Sequence, residues 1–284
     1  MRIAMLSYRS KPHCGGQGIY LRHLSRELVA LGHEVEVFSG QPYPELDEGV
    51  ALTKVPSLDL YREPDPFRVP HPREFRDRID VEEFATMCVA GFPEPKTFSS
   101  RVARLLRERA ADFDIAHDNQ VLGYGMLDIE QQMPLITTLH HPITFDRRID
   151  ISQTRNPWRK LTLSRWYGFL RMQGRVARAA RHIMTPSETS KRDIAADFGD
   201  IGEDRNLGDH QPRHCARSHA HRGFACAAAP APAIVAQPVF RIIGVIGMAG
   251  AVGVGDLGII LRPLVGVLDQ QRDRRARGGA FEHA

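Results

Sequence analysis

Residues 2–39 read RIAMLSYRSKPHCGGQGIYLRHLSRELVALGHEVEVFS, and their order of apolar runs and glycines decides the fold. The opening run to Tyr8 is short and continuously apolar, as in a parallel-sheet strand that is buried on both faces. A glycine-rich loop, RSKPHCGGQG, follows at once. From Ile19 the apolar positions Ile19, Leu24, Leu28 and Leu31 recur at helical spacing. Gly32 then stands where a helix stop favours a residue free to take positive φ. His33 to Phe38 starts a second strand. Strand, loop, helix and strand in this order predict a right-handed βαβ unit, because two parallel strands need such a crossover. The expectation is an α/β domain with a doubly wound, mostly parallel, Rossmann-like sheet.

Working outward, residues 41–100 carry prolines at 42, 44, 56, 64, 66, 70, 72, 93 and 95. That density predicts a loop-rich excursion without long helices or central strands. Regularity returns with an amphipathic helix over 99–112, a strand over 114–117, and a strand over 134–139 that ends in His140 and His141. A long helix is expected from Pro157 to Arg181, with proline at its first turn and Arg178 and Arg181 near its negative end. The strand HIMTPS then leads to Ser187, a good N-cap for the helix TSKRDIAADFG. After residue 200 lysine disappears while Ala, Gly, Arg, His and Pro dominate.

The chain has 284 residues, 42% hydrophobic and 25% charged, which is ordinary for a soluble globular protein and allows a substantial core. A net charge of +4 is too mild to call for nucleic acid. Cys14, Cys88, Cys215 and Cys226 show no C-x-x-C spacing, and no signal peptide is recognised before the first strand. The expected setting is a reducing cytoplasm. His214, Cys215, His221 and Cys226 are of zinc-ligand type but fit no familiar spacing, so they are not read as a zinc site.

Cys14-Gly15-Gly16-Gln17-Gly18 lies between the first strand and the first helix. Bare backbone amides and the positive end of a helix dipole there favour an anion. A glycine turn is also the plain way to join a strand to a helix. A dinucleotide site would add an acid at the end of the second strand for the ribose, and Val35-Glu36-Val37-Phe38-Ser39-Gly40 ends in none. Nicotinamide cofactors are therefore disfavoured.

Four stretches together, residues 2–39, FDIAHDNQ at 113–120, TTLHHPI at 137–143 and HIMTPSETSKRDI at 182–194, resemble the glycosyltransferases of family 4 in the family's own order. The resemblance covers residues 1–200 and implies the N-terminal, acceptor-side domain of a retaining GT-B enzyme. It further implies transfer of a hexose from a nucleotide sugar, such as a UDP- or GDP-hexose, to a hydroxyl acceptor, without a metal or other cofactor. By the same likeness Gly15, Gly16 and Gly18 approach the donor diphosphate. His140 hydrogen-bonds the transferred sugar as the candidate catalytic residue, although a histidine can also simply cap a strand end. Asp118, Asn119 and His141, at the carboxyl edge of the sheet, are candidates for the acceptor hydroxyls, while Asp and Asn are also common turn formers.

In relatives the leaving diphosphate helps to deprotonate the acceptor, and most groups that hold it lie in a second domain with an E-x7-E motif. The 201–284 segment offers only Glu203 and Glu282 and cannot form that motif. It is read as an unassigned tail, out of frame with a donor-binding domain, which leaves the activity truncated and impaired. The alternative is a non-catalytic α/β module that binds an acceptor or a membrane surface. The glycine-broken run 242–268 carries Asp256, Arg262 and Pro263 and is a poor membrane span. Membrane contact is more plausible at Trp158, Arg159, Lys160, Arg165 and Trp166, which mix cations with interfacial aromatics, with Arg62, Arg68, Arg73, Arg76 and Arg78 adding charge. This would place the protein at the inner face of an anionic membrane, its acceptor lipid-linked. The competing view is that Trp158, Trp166 and Phe169 face the core or a missing second domain and the arginines are merely solvated.

Overall fold

The first βαβ unit forms as its pattern predicts in the computed structural model, which describes residues 1–12, 16–199 and 208–209. Strand β1 (Arg2–Ser7), helix α1 (Gly16–Ala30) and strand β2 (Glu34–Ser39) follow in order, and β2 lies parallel to β1. Gly32, at φ 83°, ends α1 in the left-handed region where a β-carbon is costly. Strand β3 (Val50–Lys54) adds in parallel to the outer side of β2.

Downstream come helices α2 (Arg78–Cys88) and α3 (Glu94–Arg109), strand β4 (Ile115–Asn119), helix α4 (Gly125–Glu130) and strand β5 (Leu135–Thr138). Helices α5 (Thr144–Gln153), α6 (Pro157–Trp166) and α7 (Leu170–Ala179), strand β6 (Ile183–Thr185) and helix α8 (Glu188–Phe198) complete the series, with the two-residue strand β7 (Gly208–Asp209) beside β6. The sheet order is β3-β2-β1-β4-β5-β6-β7, parallel throughout. The chain reverses its direction of strand addition between β1 and β4. In an open α/β sheet the crevice outside the carboxyl ends at that point is where ligands bind.

Alternation along the strands builds two cores. Ile3, Met5, Val35 and Val37 face one way and pack with Leu21, Leu24, Leu28 and Val29 of α1. Ala4, Leu6, Phe38 and Ala116 face the other way. They meet Phe98, Val102 and Leu106 of α3, Met126 and Ile129 of α4, Met172 and Val176 of α7, and Ile194 and Phe198 of α8. Within α1 the core-facing stripe runs through Leu21, Leu24 and Leu28, whereas Ile19, and Leu31 just past the helix end, are exposed. The expected helix is right, and its two end positions lie off the core face.

Two sequence expectations are corrected and one is filled in. The loop-rich, proline-dense stretch carries a short edge strand, β3, and the 11-residue helix α2. Its prolines all fall outside β3 and outside α2, whose N-cap Asp77 accepts from the amides of Ile79 and Asp80. Helix α3 begins five residues earlier than expected because Pro95 sits in its first turn, where no N–H is needed. The helix expected over 157–181 is broken by a 3-10 turn, Tyr167–Phe169, that contains Gly168. The break turns Trp166 and Phe169 onto Phe92, at ring-centroid distances of 5.0 and 5.3 Å.

The described residues divide into two compact units, 1–57 with 90–199 and 208–209, and 58–89. The smaller holds α2 and is tied internally by edge-to-face pairs Tyr61–Phe67 and Phe75–Phe84. Arg68 pairs with Glu74 and Arg76 with the buried Asp80, so two of the five arginines expected to add membrane charge serve local ion pairs. Apart from 208–209, the tail 201–284, with its expected frame change, its Cys/His group and its apolar run, lies outside the described residues.

Candidate functional site at the carboxyl edge of the sheet

The loops after β1, β4 and β5 all open at the carboxyl edge of the sheet. After β1 the chain enters α1 at Gly16, and a β-carbon built on Gly16 meets nothing within 4 Å. Gly18 is the opposite case: its β-carbon would lie 2.3 Å from the Lys11 carbonyl oxygen. Gly18 thus allows the loop to lie against the helix start. Gly15 and Cys14 lie outside the described residues.

After β4, Gln120 and Leu122 take positive φ, and the turn is held from beneath by Asp118. Asp118 is fully buried, and its carboxylate accepts from the amides of Val121 (2.8 Å) and Leu122 (3.1 Å) and from the Thr137 hydroxyl (3.4 Å). Burial pushes this carboxyl up to about 7, against the pull of the three donors. A side chain so enclosed shapes the turn and does not reach an acceptor molecule, so the expected acceptor role of Asp118 is withdrawn.

Asn119 is also fully buried. Its amide nitrogen donates to the Gln17 carbonyl (3.2 Å) and the Ser7 hydroxyl (3.4 Å), while its oxygen faces His140 Nε2 at 2.8 Å. One side chain therefore ties the first turn of α1 to the histidine after β5. Being fully buried, Asn119 lies beneath these groups and is not exposed to an acceptor.

His140 is half-buried. Its backbone amide donates to Gln120 Oε1 (2.8 Å), and Gln120 Nε2 donates to the His141 carbonyl (2.8 Å), which clamps the loop after β5 to the loop after β4. The Tyr20 ring packs edge-on to His140, with centroids 4.6 Å apart and planes at 82°. Burial, with the neighbouring His141, lowers the imidazole to about 4, so His140 is neutral at pH 7. His141 itself is exposed, 3.8 Å from Asp146.

Beneath these groups is a polar layer that the sequence did not announce. His117 Nε2 lies 2.7 Å from the Thr138 hydroxyl, which also meets the Tyr20 hydroxyl at 3.4 Å. Ser39, Ser10 and Ser7 form a buried hydroxyl chain that ends at Asn119. Strand ends that carry Ser, Asn, His and Thr where a buried parallel strand prefers apolar residues are the sequence signal of this layer.

The residues considered for a membrane divide sharply. Trp158 is 74% exposed, Lys160, Leu161 and Arg165 are exposed, and Arg159 is half-buried. Trp166 packs on Phe92, so it belongs to an aromatic cluster. Among the described residues no helix is long and apolar enough to cross a membrane, and no group of three His, Cys, Asp or Glu could hold a metal ion.

The sequence model of Glycosyltransferase Family 4 matches residues 14–205. The MMP alpha-(1->4)-mannosyltransferase of Mycolicibacterium hassiacum is 62% identical over 200 residues, which cover 70% of this chain and 48% of that protein. The chain thus spans about half the length of the curated relative it matches. Among solved structures, sucrose-phosphate synthase from Thermosynechococcus elongatus aligns at 14% identity and a TM-score of 0.42, covering 69% of this chain and 45% of that one. A ugt transferase from Siraitia grosvenorii in complex with UDP aligns at 12% identity and a TM-score of 0.37, covering 69% and 48%. With the family match extending over most of the described residues, this chain belongs to glycosyltransferase family 4.

Proposed function

We propose that this chain carries the acceptor-side half of a hexosyl-transfer site, which moves a hexose from a nucleotide sugar to a hydroxyl of an acceptor. The mannosyl specificity in the name of its 62% identical relative makes mannose the sugar to test first. One observation carries the reading: Asn119 contacts both the Gln17 carbonyl, one residue past Gly16, and His140. An anion at the open start of α1 and a sugar beside His140 can therefore belong to one bound nucleotide sugar. In this reading Gly15, Gly16 and Gly18 shape the diphosphate site, His140 touches the sugar, and His141 is the exposed group left for the acceptor. Charge developing on the leaving diphosphate is met by amides and a helix dipole, a form of electrostatic stabilisation that needs no protein nucleophile.

The test is to incubate the purified chain with UDP- and GDP-hexoses, GDP-mannose included, and a manno-oligosaccharide acceptor, and to follow transfer and donor hydrolysis. Turnover that His140→Ala abolishes is the expected result. Absence of both turnover and nucleotide-sugar binding would overturn the proposal and favour a non-catalytic α/β module in which the donor half plays no part.

A second reading rests on the exposed face of α5 and α6, where Phe145, Ile149, Trp158 and Leu161 stand beside Lys160 and Arg165. Interfacial aromatics and cations together suit the inner, anionic face of a membrane, with a lipid-linked acceptor presented there. Pelleting with phosphatidylserine vesicles but not with phosphatidylcholine vesicles, lost in Trp158→Ala, is expected; equal recovery with both lipids would remove this reading.

A further inference from the structure

The orientation of the Asn119 amide is fixed by its neighbours. Gln17 offers a carbonyl oxygen, which can only accept, at 3.2 Å from the Asn119 amide nitrogen. Turning the amide over would set two acceptors against each other at that distance and strand a buried NH2 against the imidazole. The oxygen of Asn119 therefore faces His140 Nε2 at 2.8 Å, and a lone pair at that range requires an N–H opposite it. In a neutral imidazole only one nitrogen carries the proton. With Nε2 committed, Nδ1 is left with a lone pair, and among the described residues it makes no hydrogen bond.

We propose that Asn119 is a positioning residue that locks His140 as its Nε2–H tautomer, so that the atom offered to a bound molecule is Nδ1, an acceptor that takes a sugar hydroxyl and rejects a phosphate oxygen. The second half rests on the hexosyl-transfer reading above; the first does not. Three further contacts hold the ring in place for this task. The Gln120 side chain fixes the His140 backbone, Tyr20 packs edge-on against the imidazole, and the Tyr20 hydroxyl is anchored at Thr138. The arrangement discriminates by hydrogen-bond direction. A hydroxyl can donate to Nδ1, whereas a phosphate oxygen there would face a lone pair, and pairing with it would require protonating a ring that burial keeps neutral.

The tautomer can be read without any ligand, by 15N NMR of the histidine-labelled chain at pH 7, with His140 assigned from the signals missing in His140→Gln. The expected wild-type spectrum shows His140 with a bare Nδ1 and a protonated Nε2 whose proton is slow enough in exchange to be seen. In Asn119→Ala that proton signal is lost and the two nitrogen shifts move toward the average of exchanging tautomers. The His117 signals, from a ring tied to Thr138 instead, stay in place and report that the fold survives. A proton on Nδ1 in the wild type would overturn the proposal outright, even if Asn119→Ala does not fold. So would an Nε2 proton that persists in a folded Asn119→Ala.

GDP-mannose and inorganic pyrophosphate are then added in separate titrations. GDP-mannose is expected to shift Nδ1 as an acceptor without protonating it, and pyrophosphate alone to leave it unmoved. Protonation of Nδ1 by either, or a GDP-mannose titration with no effect on His140, would refute the hydroxyl assignment. The last outcome also counts against the hexosyl-transfer reading, while the ligand-free tautomer stands or falls on its own spectrum.

Discussion

Gly16 and Gly18 are two residues apart, yet their surroundings are opposite, and a pair of alanine substitutions separates them. At Gly18 the added β-carbon would sit 2.3 Å from the Lys11 carbonyl oxygen, with the Ser10 and Lys11 carbonyl carbons at 3.0 and 3.1 Å. All three are backbone atoms, so relief requires the loop and the start of α1 to part. Overpacking of this kind costs about 1–3 kcal/mol. In a domain of this size each kcal/mol lowers Tm by roughly 2–4 °C. Gly18→Ala should therefore melt several degrees below the wild type. At Gly16 the same methyl group meets no atom of the described residues within 4 Å, and alanine is the better helix former, so Gly16→Ala should lose no stability. It should nevertheless weaken the binding of GDP or pyrophosphate, because the methyl group occupies the approach to the first amides of α1. Thermal melts and isothermal titrations on the two variants make the test. Equal melting temperatures for Gly18→Ala and the wild type would show that the close approach at Lys11 is not there. Unchanged nucleotide affinity in Gly16→Ala would show that the anion does not enter over that residue.

His117 provides a pH signature. Burial, with a smaller contribution from His140, lowers this imidazole to about 4 in the folded chain, against 6.5 for the free side chain. The unfolded chain thus binds more protons between these values. The stabilisation is complete above pH 6.5 and is lost as pH falls toward 4. Asp118, raised to about 7, acts in the opposite sense, since its protonated form is the one favoured by folding and its contribution fades as pH rises through 7. The wild-type profile mixes the two, so the comparison is with His117→Gln. Its stability difference from the wild type should be about 2 kcal/mol smaller at pH 5 than at pH 7 in urea unfolding; a difference independent of pH would contradict the neutral, buried imidazole. The two tryptophans should also part company. Trp158→Ala, at a side chain 74% exposed, should change stability by less than about 0.5 kcal/mol. Trp166→Ala removes a ring packed 5.0 Å from Phe92 and should cost about 2–4 kcal/mol; equal unfolding midpoints for the two variants would refute the placement of α6.

The sequence by itself determined the parallel βαβ start, the glycine stop of α1, the Ser187 cap of α8 and the four stretches that carry the family likeness. Each of these is local, since periodicity, a cap or a tight turn is written in neighbouring residues. It also singled out Gly16 and His140 as candidates for a site, because the end of a strand and the start of a helix are local features too. Tertiary structure alone decided the roles of Asp118, Asn119, Tyr20 and His117. Asp118 and Asn119 are adjacent at the end of β4 and look alike as turn formers. One turns under the loop to its own downstream amides, and the other reaches Gln17 and His140 across 102 and 21 residues of sequence. Which partner each finds depends on the order in which β1, β4 and β5 lie side by side, and that order is settled by packing two helical layers onto the sheet, which no short stretch of residues specifies.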